Sequence, residues 1–339
     1  MRSKVPVALL SVACLLAACS GGKGTAAPGP TPSPTASPTP SATRPPAPVL
    51  DPLTGTAPRS TGKLVGIKVD NAALARPYQT GLGRAAIVYE ELVEGGSTRL
   101  LAVYESDLAG TGEVGPIRSV RESDIELVRS FGTMALGFSG GNTGVKAIVR
   151  SAARSGFVVD ASYDAVPGAY RLGAQRRDAR NFFTVPATLA KLRPGGGPRD
   201  IGFRFGPAGA SGVATASAVA AFSPQTRVSV RYNAGTGTWS VAQNGRLMPG
   251  VAPSNIILQR TVARGSRFVD VHGMATPYTV TVGTGTAVIL RDGKRFAARW
   301  SRTGHGATHY LNTAGKDVLL RPGKTWVLLV PNGGSITYG

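Results

Sequence analysis

Two arginines flank a predicted helix start in the segment VGPIRSVRES, residues 114–123. Ser119 followed by Glu122 has the spacing of a capping box, which predicts that a helix begins here. The N-terminus of a helix carries partial positive charge and disfavours cations. Arg118 and Arg121 therefore require either nearby carboxylates that neutralise them or an anion that binds beside them.

Suitable carboxylates lie on the strand predicted over residues 85–94. The alternation of side chains along a strand places Glu90 and Glu94 on one face, together with apolar neighbours. An acidic side chain that faces a core must be paired or neutralised. We therefore predict a structural network in which these carboxylates bind three guanidinium groups: Arg99, Arg118 and Arg121.

The same side chains could instead line a cleft. Paired carboxylates can perform acid–base chemistry or hold a metal, so the candidate catalytic residues are Glu90, Glu94 and Asp70. The arginines would then bind phosphate through two hydrogen bonds each. The structural and the functional interpretation are compatible, because active sites are often built from such networks.

The segment FSGGNTG, residues 138–144, is a second candidate for anion binding. It lies between a predicted strand and a predicted helix, where backbone N–H groups can bind an anion. Asn142 is the candidate binding residue, since either Asn142 or Thr143 caps the helix. The segment lacks the Lys-Ser/Thr pair that completes a nucleotide-binding phosphate loop.

The histidines give a weaker signal. In HGATH, His305 and His309 have the i, i+4 spacing that could share a zinc ion on a helix. Glycines flank His305, however, and no third ligand is close in the sequence. We therefore predict no metal site and no cofactor.

The first residues, MRSKVPVALLSVACLLAACSGG, are typical of a bacterial lipoprotein signal. A basic start precedes an apolar stretch that is short for a membrane span. Small residues then precede a cysteine, which predicts a signal over residues 1–19 and lipid modification of Cys19. An ordinary signal peptide with a chance cysteine is the alternative. We expect an extracytoplasmic protein, anchored by this lipid to the outer face of the bacterial cytoplasmic membrane.

The chain is strongly basic, with a formal net charge of +20. Loss of Arg2 and Lys4 with the signal would leave +18. Such an excess favours anionic partners and salt-dependent association. Nucleic acid is a common partner of basic proteins, but export argues against it, so we expect an anionic wall polymer. A solvated basic surface without a specific ligand is the alternative.

Composition divides the chain into four segments. The signal is followed by a Pro-, Thr- and Ser-rich stretch, residues 20–60, which we expect to be a disordered tether. Residues 61–195 predict a mixed α/β N-terminal lobe, and residues 196–339 predict a smaller β-rich C-terminal domain. The predicted fold class is therefore α+β.

Local patterns in the N-terminal lobe predict five strands and three helices. The strands are expected at residues 63–70, 85–94, 98–106, 134–141 and in FVVDAS, with a Gly-Gly turn between the second and the third. The helices are expected at residues 120–131, 142–153 and 185–193. In the C-terminal domain, turn signals predict hairpins at Ala234–Gly237 and Asp292-Gly293. Three tryptophans are expected in the core: Trp239, Trp300 and Trp326.

These pieces together resemble the YerB-type family of bacterial lipoproteins. The resemblance rests on the order and spacing of three segments: VDNAALARPYQTGL, AAIVYEELVEGGSTRLLAVYES and VGPIRSVR. It implies secretion, lipid anchoring and a two-part architecture, but no established activity. It adds Asn71 and Arg76 to the candidate binding residues, beside the three arginines already named. One departure is Arg180, which stands where relatives tend to carry the histidine of a Pro-His-Asn segment.

The leading hypothesis is a non-enzymatic, lipid-anchored envelope protein whose basic N-terminal lobe binds an anionic envelope polymer or partner. The alternative is an envelope enzyme that acts on a glycan or a phosphate-containing polymer through Glu90 and Glu94 with the three arginines. In an enzyme of this kind, the two carboxylates should converge on an open cleft. A passive structural lipoprotein is a third interpretation. The oligomeric state is not indicated.

Overall fold

The apolar segment LVGIKVD forms a strand in the middle of a large mixed sheet, as its composition predicts. The structure is a computed structural model that describes residues 29, 49–56, 62–105, 110–173, 180–270 and 273–339. The predicted signal, Cys19 and most of the predicted tether lie outside the described residues. From Pro48 to Gly339 the chain forms one compact unit.

The N-terminal part supplies eight strands and three α-helices within the described residues. The strands are β1 (Leu64–Asp70), β2 (Ile87–Leu92), β3 (Thr98–Glu105), β4 (Val114–Ile117), β5 (Met134–Gly137), β6 (Val158–Asp160), β7 (Tyr170–Leu172) and β8 (Phe182–Thr184). The helices are α1 (Glu122–Val128), α2 (Thr143–Arg154) and α3 (Pro186–Leu192). The five predicted strands and three predicted helices are thus confirmed apart from their ends, whereas β4, β7 and β8 were not predicted.

The C-terminal part contributes strands only, among the residues described. They are β9 (Val213–Ala214), β10 (Ser217–Ala221), β11 (Arg227–Asn233), β12 (Thr238–Gln243), β13 (Arg246–Leu247), β14 (Asn255–Thr261), β15 (Ala263–Val269), β16 (Ala275–Thr279), β17 (Gly283–Arg291), β18 (Lys294–Arg302), β19 (His309–Leu311), β20 (Thr325–Pro331) and β21 (Ser335–Tyr338). Both predicted hairpins are confirmed, as β11–β12 and β17–β18.

Fourteen of the described strands form one sheet that runs through both parts of the chain. Its order is β19-β18-β17-β14-β20-β2-β3-β1-β4-β8-β7, with β5 and β6 branching from β1 and with β9 beside β18. Parallel pairing of β2 with β20 joins the two parts. Five strands form a second sheet, in the order β13-β12-β11-β10-β21. Strands β15 and β16 pair only with each other in the described residues, and we call this hairpin the arm.

The large sheet separates two hydrophobic cores, because successive side chains of β2 and β3 enter opposite cores. The first core lies on the side of α1 and α2 and includes Phe131 and Trp300. The second core lies between the large and the five-stranded sheet and includes Trp239 and Trp326. The three tryptophans are at most 3% exposed, which confirms their prediction as core residues.

Helix α1 begins later than the capping-box prediction placed it. Its N-cap is Arg121 rather than Ser119, and Asp124 rather than Glu122 accepts the backbone N–H of the N-cap residue, at 2.7 Å. The prediction was wrong in register because the segment offers two acidic residues close together. The one that becomes buried against the sheet takes the capping role.

The predicted tether of residues 20–60 also extends too far. Residues 51–56 pack into the fold, because Leu53 is fully buried in the first core. Asp51 fixes this turn by accepting the backbone N–H groups of Leu53 and Thr54. Among the helices that the structure describes, none combines the length and apolar character needed to cross a membrane.

Candidate functional site

Asp70, at the end of β1, is buried between two arginines. The pairing of β1 with β3 places it opposite Arg99, and its Oδ1 lies 3.1 Å from Arg99 Nη1. Its Oδ2 lies 3.2 Å from Nε of Arg118, which follows β4. Asp70 was predicted as a base or metal ligand. In the structure it is the counter-ion of two guanidinium groups.

Glu94 holds the third arginine. Its Oε2 accepts hydrogen bonds from Arg121 Nη2 at 2.7 Å and Nε at 3.3 Å, and its Oε1 accepts one from Thr276 Oγ1 at 2.6 Å. Burial alone would raise the pKa of Glu94, but these bonds and the charge of Arg121 lower it below its ordinary value. Glu94 is therefore ionised at neutral pH, and its predicted pairing with Arg121 is confirmed.

We call Asp70, Glu94, Arg99, Arg118 and Arg121 the arginine cluster. Three guanidinium groups face two carboxylates, so one positive charge is left without a partner inside the cluster. The Nε atom of Arg99 is buried and forms no hydrogen bond with any described residue, whereas the Nε atom of Arg118 is buried beside Asp70. Burial lowers the pKa of Arg99 to about 10, although Asp70 opposes this shift. The side chain of Arg118 is 29% exposed, so this arginine reaches solvent.

The segment FSGGNTG lies against the arginine cluster, so two separately predicted anion sites are neighbours. The backbone N–H of Ser139 donates to the carbonyl of Arg118 at 3.1 Å, and that of Val120 donates to the carbonyl of Gly140 at 3.3 Å. Gly140 has a φ of 85°, which glycine adopts without strain. The loop after β5 and the loop after β4 therefore form one surface.

The arm of the C-terminal part also contacts this surface. Asn142 Nδ2 donates to the carbonyl of Val269 at 2.9 Å, while Asn142 Oδ1 accepts the backbone N–H of Gly144 at 2.7 Å and caps α2. The ring of Phe268 packs on Gly144 so closely that a Cβ there would lie 2.2 Å from it. The predicted cap is confirmed, and Asn142 also joins the two parts of the chain.

Replacing Asn142 separates these two roles. We expect Asn142→Ala to lower the free energy of unfolding by about 1 kcal/mol, because the helix loses its N-cap acceptor. Asn142→Ser keeps an acceptor and should retain most of that stability, although it gives up the bond to Val269. Urea denaturation of both variants measures the difference. Equal losses in the two variants would contradict a capping role.

This loop also contains a motif that was not predicted. GFSGG, residues 137–141, has the GxSxG form of a hydrolase nucleophile, and it lies between β5 and α2 as that motif requires. Ser139 Oγ donates to the carbonyl of Ile117 at 2.7 Å. Of the two histidines that the structure describes, His305 contacts Glu126 and Arg129, and His309 contacts Asp317. Neither contacts Ser139, and His272 lies outside the described residues. Within the described residues, the geometry therefore does not pair this serine with a histidine base.

Glu90 and Glu94 do not share a face, contrary to the prediction. Strand β2 ends at Leu92, and the turn after it directs Glu94 toward α1. Glu90 faces the second core, where it is fully buried and accepts bonds from Thr98 Oγ1 at 2.8 Å, Asn71 Nδ2 at 3.0 Å and Trp326 Nε1 at 3.2 Å. It forms no ion pair with an arginine among the described residues. The two carboxylates therefore do not converge on a cleft.

Burial raises the pKa of Glu90 to about 7, although its three hydrogen bonds oppose the shift. The network continues to the surface through Gln79, whose Nε2 donates to Asn71 Oδ1 at 2.9 Å. It also reaches the five-stranded sheet, since Gln243 Nε2 lies 3.2 Å from Thr98 Oγ1. Asn71 therefore positions Glu90, away from the arginine cluster.

Arg76, the remaining predicted binding residue, lies on this second side as well. Its Nη1 donates to the backbone carbonyl of Gln243 at 2.9 Å. Burial lowers the pKa of Arg76, while the charge of Glu90 partly restores it. Arg76 thus fastens the segment after β1 to the five-stranded sheet, and the structure does not bring it together with Arg118 or Arg121.

A buried ionic triad beside the arginine cluster escaped the sequence analysis. Lys68 is fully buried in β1, and its Nζ binds Glu91 and, at 2.6 Å, Asp124 of α1. Burial would raise the pKa of Glu91, but Lys68 and Ser123 lower it. Burial raises the pKa of Asp124 to about 7 despite Lys68, and Glu91 adds to the rise. The signal was visible as a lysine inside an otherwise apolar strand.

No group of three or more His, Cys, Asp or Glu side chains is placed to hold a metal ion in the part of the chain that the structure describes. His305 lies in a turn, and His309 begins β19. The i, i+4 pair is therefore not on a helix.

Comparison with known proteins decides the family. The N-terminal and C-terminal domain models of DUF3048, a family of proteins of unknown function, match residues 53–198 and 218–327. The chain belongs to the DUF3048 family. The proposed likeness to YerB-type proteins is thereby confirmed.

Two comparisons with YerB of Bacillus subtilis add to this DUF3048 assignment. The protein named "Putative lipoprotein YerB", from strain 168, is 45% identical over 83 residues, which are 24% of this chain and 24% of that one. The crystal structure of YerB matches with a TM-score of 0.70 and 22% identity, over 85% of this chain and 99% of that chain. The structural match establishes a shared fold. The sequence alignment spans about a quarter of the relative's length.

Within this DUF3048 chain, Arg180 is exposed and precedes the buried Asn181. No described contact joins Arg180 to the arginine cluster.

Proposed function

We propose that the protein is a lipid-anchored envelope protein whose arginine cluster binds an anionic group of a wall polymer. The observation that carries the proposal is the uncompensated charge at Arg99 and Arg118. The two arginines share one carboxylate, Asp70, and the side chain of Arg118 is 29% exposed, so it reaches solvent. A phosphate or uronate group could accept hydrogen bonds from this guanidinium group.

Anchoring through Cys19 is part of the same proposal. The relative from Bacillus subtilis is named "Putative lipoprotein YerB", and the N-terminal sequence of this chain is typical of a lipoprotein signal. A lipid at Cys19 would hold the compact unit at the membrane surface through the Pro-rich stretch that follows. That position would bring a basic surface to the anionic polymers of the envelope.

The second interpretation, an envelope enzyme, receives no support from the geometry. Glu90 and Glu94 face different sides of the large sheet. Asp70 is fully buried between two arginines. A pair of carboxylates flanking a scissile bond requires both groups in one cleft.

Binding to purified polymers tests the proposal. The chain from Ser20 onward is titrated with polyglycerol phosphate and with a polyuronate at low and high salt. We expect Arg118→Ala with Arg121→Ala to weaken binding at least tenfold, because one ligand donor is lost and the carboxylate of Glu94 is released. Arg227→Ala with Arg231→Ala removes the same charge from exposed positions of β11 and is the matched control.

Unequal losses in these two variants distinguish a site from a basic surface. The proposal fails if the two double variants bind the polymers with equal affinity and if high salt abolishes binding in both variants and in the wild type. The arginine cluster would then have a structural role only. Thermal unfolding of each variant shows whether the released carboxylates disturb the fold.

A further inference from the structure

A surface pocket lies between the arm and the start of α1, and none of its lining residues belongs to the arginine cluster. Its volume is about 310 Å³, at the lower end of the range for ligand pockets. The lining consists of Glu122, Arg264, Gly265, Ser266, Arg267 and Tyr278. The pocket is therefore polar and large enough for one small charged unit.

Aromatic rings hold the two arginines of this pocket. The guanidinium carbon of Arg264 lies 4.8 Å from the centre of the Tyr278 ring, and that of Arg267 lies 4.9 Å from the centre of the Phe268 ring. Stacking of this kind orients a guanidinium plane while its edge N–H groups stay directed outward. Phe268 is itself fixed by its contact with Gly144.

The N–H donors of both arginines are available. Arg264 forms no ion pair or hydrogen bond with any described residue. Arg267 Nε lies 3.8 Å from Glu122 Oε1, which is beyond hydrogen-bond distance, and its side chain is 71% exposed. Glu122 already accepts a hydrogen bond from Ser266 Oγ at 2.6 Å. Two guanidinium groups thus face one partly engaged carboxylate.

We propose that this pocket binds a phosphodiester group, through paired hydrogen bonds from Arg264 and Arg267. A phosphodiester carries one negative charge, which matches the one uncompensated positive charge of the pocket. Its two non-bridging oxygens suit two guanidinium forks. An open pocket also leaves room for the two chains that extend from a diester. The group could belong to a lipid headgroup or to a polyol-phosphate polymer.

The hydroxyl groups of the pocket fit the same ligand. Burial raises the pKa of Tyr278, and the charges of Glu126 and Glu122 raise it further, so its hydroxyl stays protonated at neutral pH. A protonated phenol can donate a hydrogen bond to a phosphate oxygen.

Binding to two probes tests the proposal with the chain from Ser20 onward. One probe is polyglycerol phosphate in solution, and the other is vesicles of phosphatidylglycerol in phosphatidylcholine, with pure phosphatidylcholine as the blank. We expect Arg264→Ala with Arg267→Ala to weaken binding at least tenfold for one probe or both. Arg227→Ala with Arg231→Ala should change it less than threefold. If this variant loses binding to the polymer alone, the ligand of the pocket is a polymer. If it loses binding to the vesicles, the ligand is a lipid headgroup.

A second variant tests the same pocket by a gain of affinity. Glu122→Gln keeps an acceptor for Ser266 but removes the negative charge that repels a phosphate. We expect it to bind at least twofold more tightly than the wild type at low salt. The proposal is overturned if Arg264→Ala with Arg267→Ala binds both probes like the wild type, or if Glu122→Gln weakens binding.

The outcomes separate this pocket from the arginine cluster. If Arg118→Ala with Arg121→Ala loses binding and Arg264→Ala with Arg267→Ala does not, the pocket proposal is overturned and the proposed function is supported. The reverse pattern supports the pocket and overturns the proposed function. Loss in both variants supports two contacts with one polymer, and such contacts reinforce each other through high effective concentration.

Discussion

Lys68→Met should lower the free energy of unfolding by about 3–5 kcal/mol at neutral pH. Lys68 is fully buried and is the cation that Glu91 and Asp124 share. Removing it leaves two carboxylates in a core where an unpaired charge is strongly disfavoured. The length of methionine approximates that of the lysine stem, so the loss reports charge rather than a cavity. Guanidinium chloride unfolding at pH 7 measures it.

The cost of Lys68→Met should also grow with pH. Without the lysine charge, burial raises the pKa of both carboxyls, so the folded protein holds protons more tightly than the unfolded one. Stability then falls as pH rises through those raised values. The difference from the wild type should be larger at pH 8 than at pH 5. If the difference in free energy of unfolding between the wild type and Lys68→Met does not depend on pH, the loss comes from packing and not from charge.

Two controls isolate the triad. Lys191→Met changes an exposed lysine of α3 and should cost less than about 0.5 kcal/mol. Adding Glu91→Gln and Asp124→Asn to Lys68→Met removes all three charges while keeping acceptors for Ser123 and for the backbone of Arg121. This triple variant should recover at least half of the loss. A loss below about 1 kcal/mol for Lys68→Met alone would contradict the argument.

The triad also connects stability to the candidate site. Asp124 accepts both Lys68 Nζ and the backbone N–H of Arg121, and it therefore fixes the start of α1 against the sheet. The positions of Arg118 and Arg121 thus have a structural reason. The arginines lie at the helix start because Asp70 and Glu94 bind their side chains and Asp124 binds the backbone. An external anion would complete the pairing at Arg118.

Local elements were predictable because their signals are local. An apolar run marks β1, a Gly-Gly turn marks the β2–β3 hairpin, and Asn142 marks the start of α2. The parallel pairing of β2 with β20 has no such signal, because it joins residues more than 200 positions apart. Contacts of that kind depend on the whole fold. The connection of the two parts by one sheet therefore emerged only from the structure.

The candidate site was predictable in its residue types but not in its pairings. Arg99, Arg118 and Arg121 do form a cluster with carboxylates, yet Asp70 rather than Glu90 is the partner of two of them. The alternation rule fails at Glu94 because the strand has already ended at Leu92. Where a strand stops decides the side of the sheet to which the next side chain turns, and sequence patterns place such ends least accurately.

Glu90 should make the protein less stable as pH rises from about 5 to 8. Its pKa is about 7 in the folded protein against an ordinary value of 4.5. A raised folded pKa means that the folded state binds the proton more tightly. The stability that Glu90 contributes is therefore fully present below the pKa of its carboxyl in the unfolded chain. It is lost as pH rises through about 7, the pKa in the folded protein. The difference in pKa corresponds to about 3 kcal/mol of unfolding free energy.

Glu90→Gln isolates this contribution because residue 90 then no longer titrates. Asp124, whose pKa is also about 7, is present in both proteins, so its effect cancels in the comparison. Between pH 5 and pH 8, the wild type should lose about 2 to 3 kcal/mol of unfolding free energy relative to Glu90→Gln. Chemical denaturation at several pH values measures this difference. Parallel stability curves for the two proteins would show that Glu90 does not hold a proton at pH 5.

Trp326 offers an independent measurement of the same proton. Its indole Nε1 donates to Glu90 Oε2 at 3.2 Å, so ionisation of the carboxyl changes the field at the indole ring. Fluorescence of the folded protein should change with a midpoint near pH 7, and Glu90→Gln should abolish the change. Trp326→Phe should abolish the fluorescence change too. Replacing Trp300, which lies in the first core, should leave it intact. A midpoint near the ordinary value of 4.5 would show that the hydrogen bonds from Asn71, Thr98 and Trp326 outweigh burial.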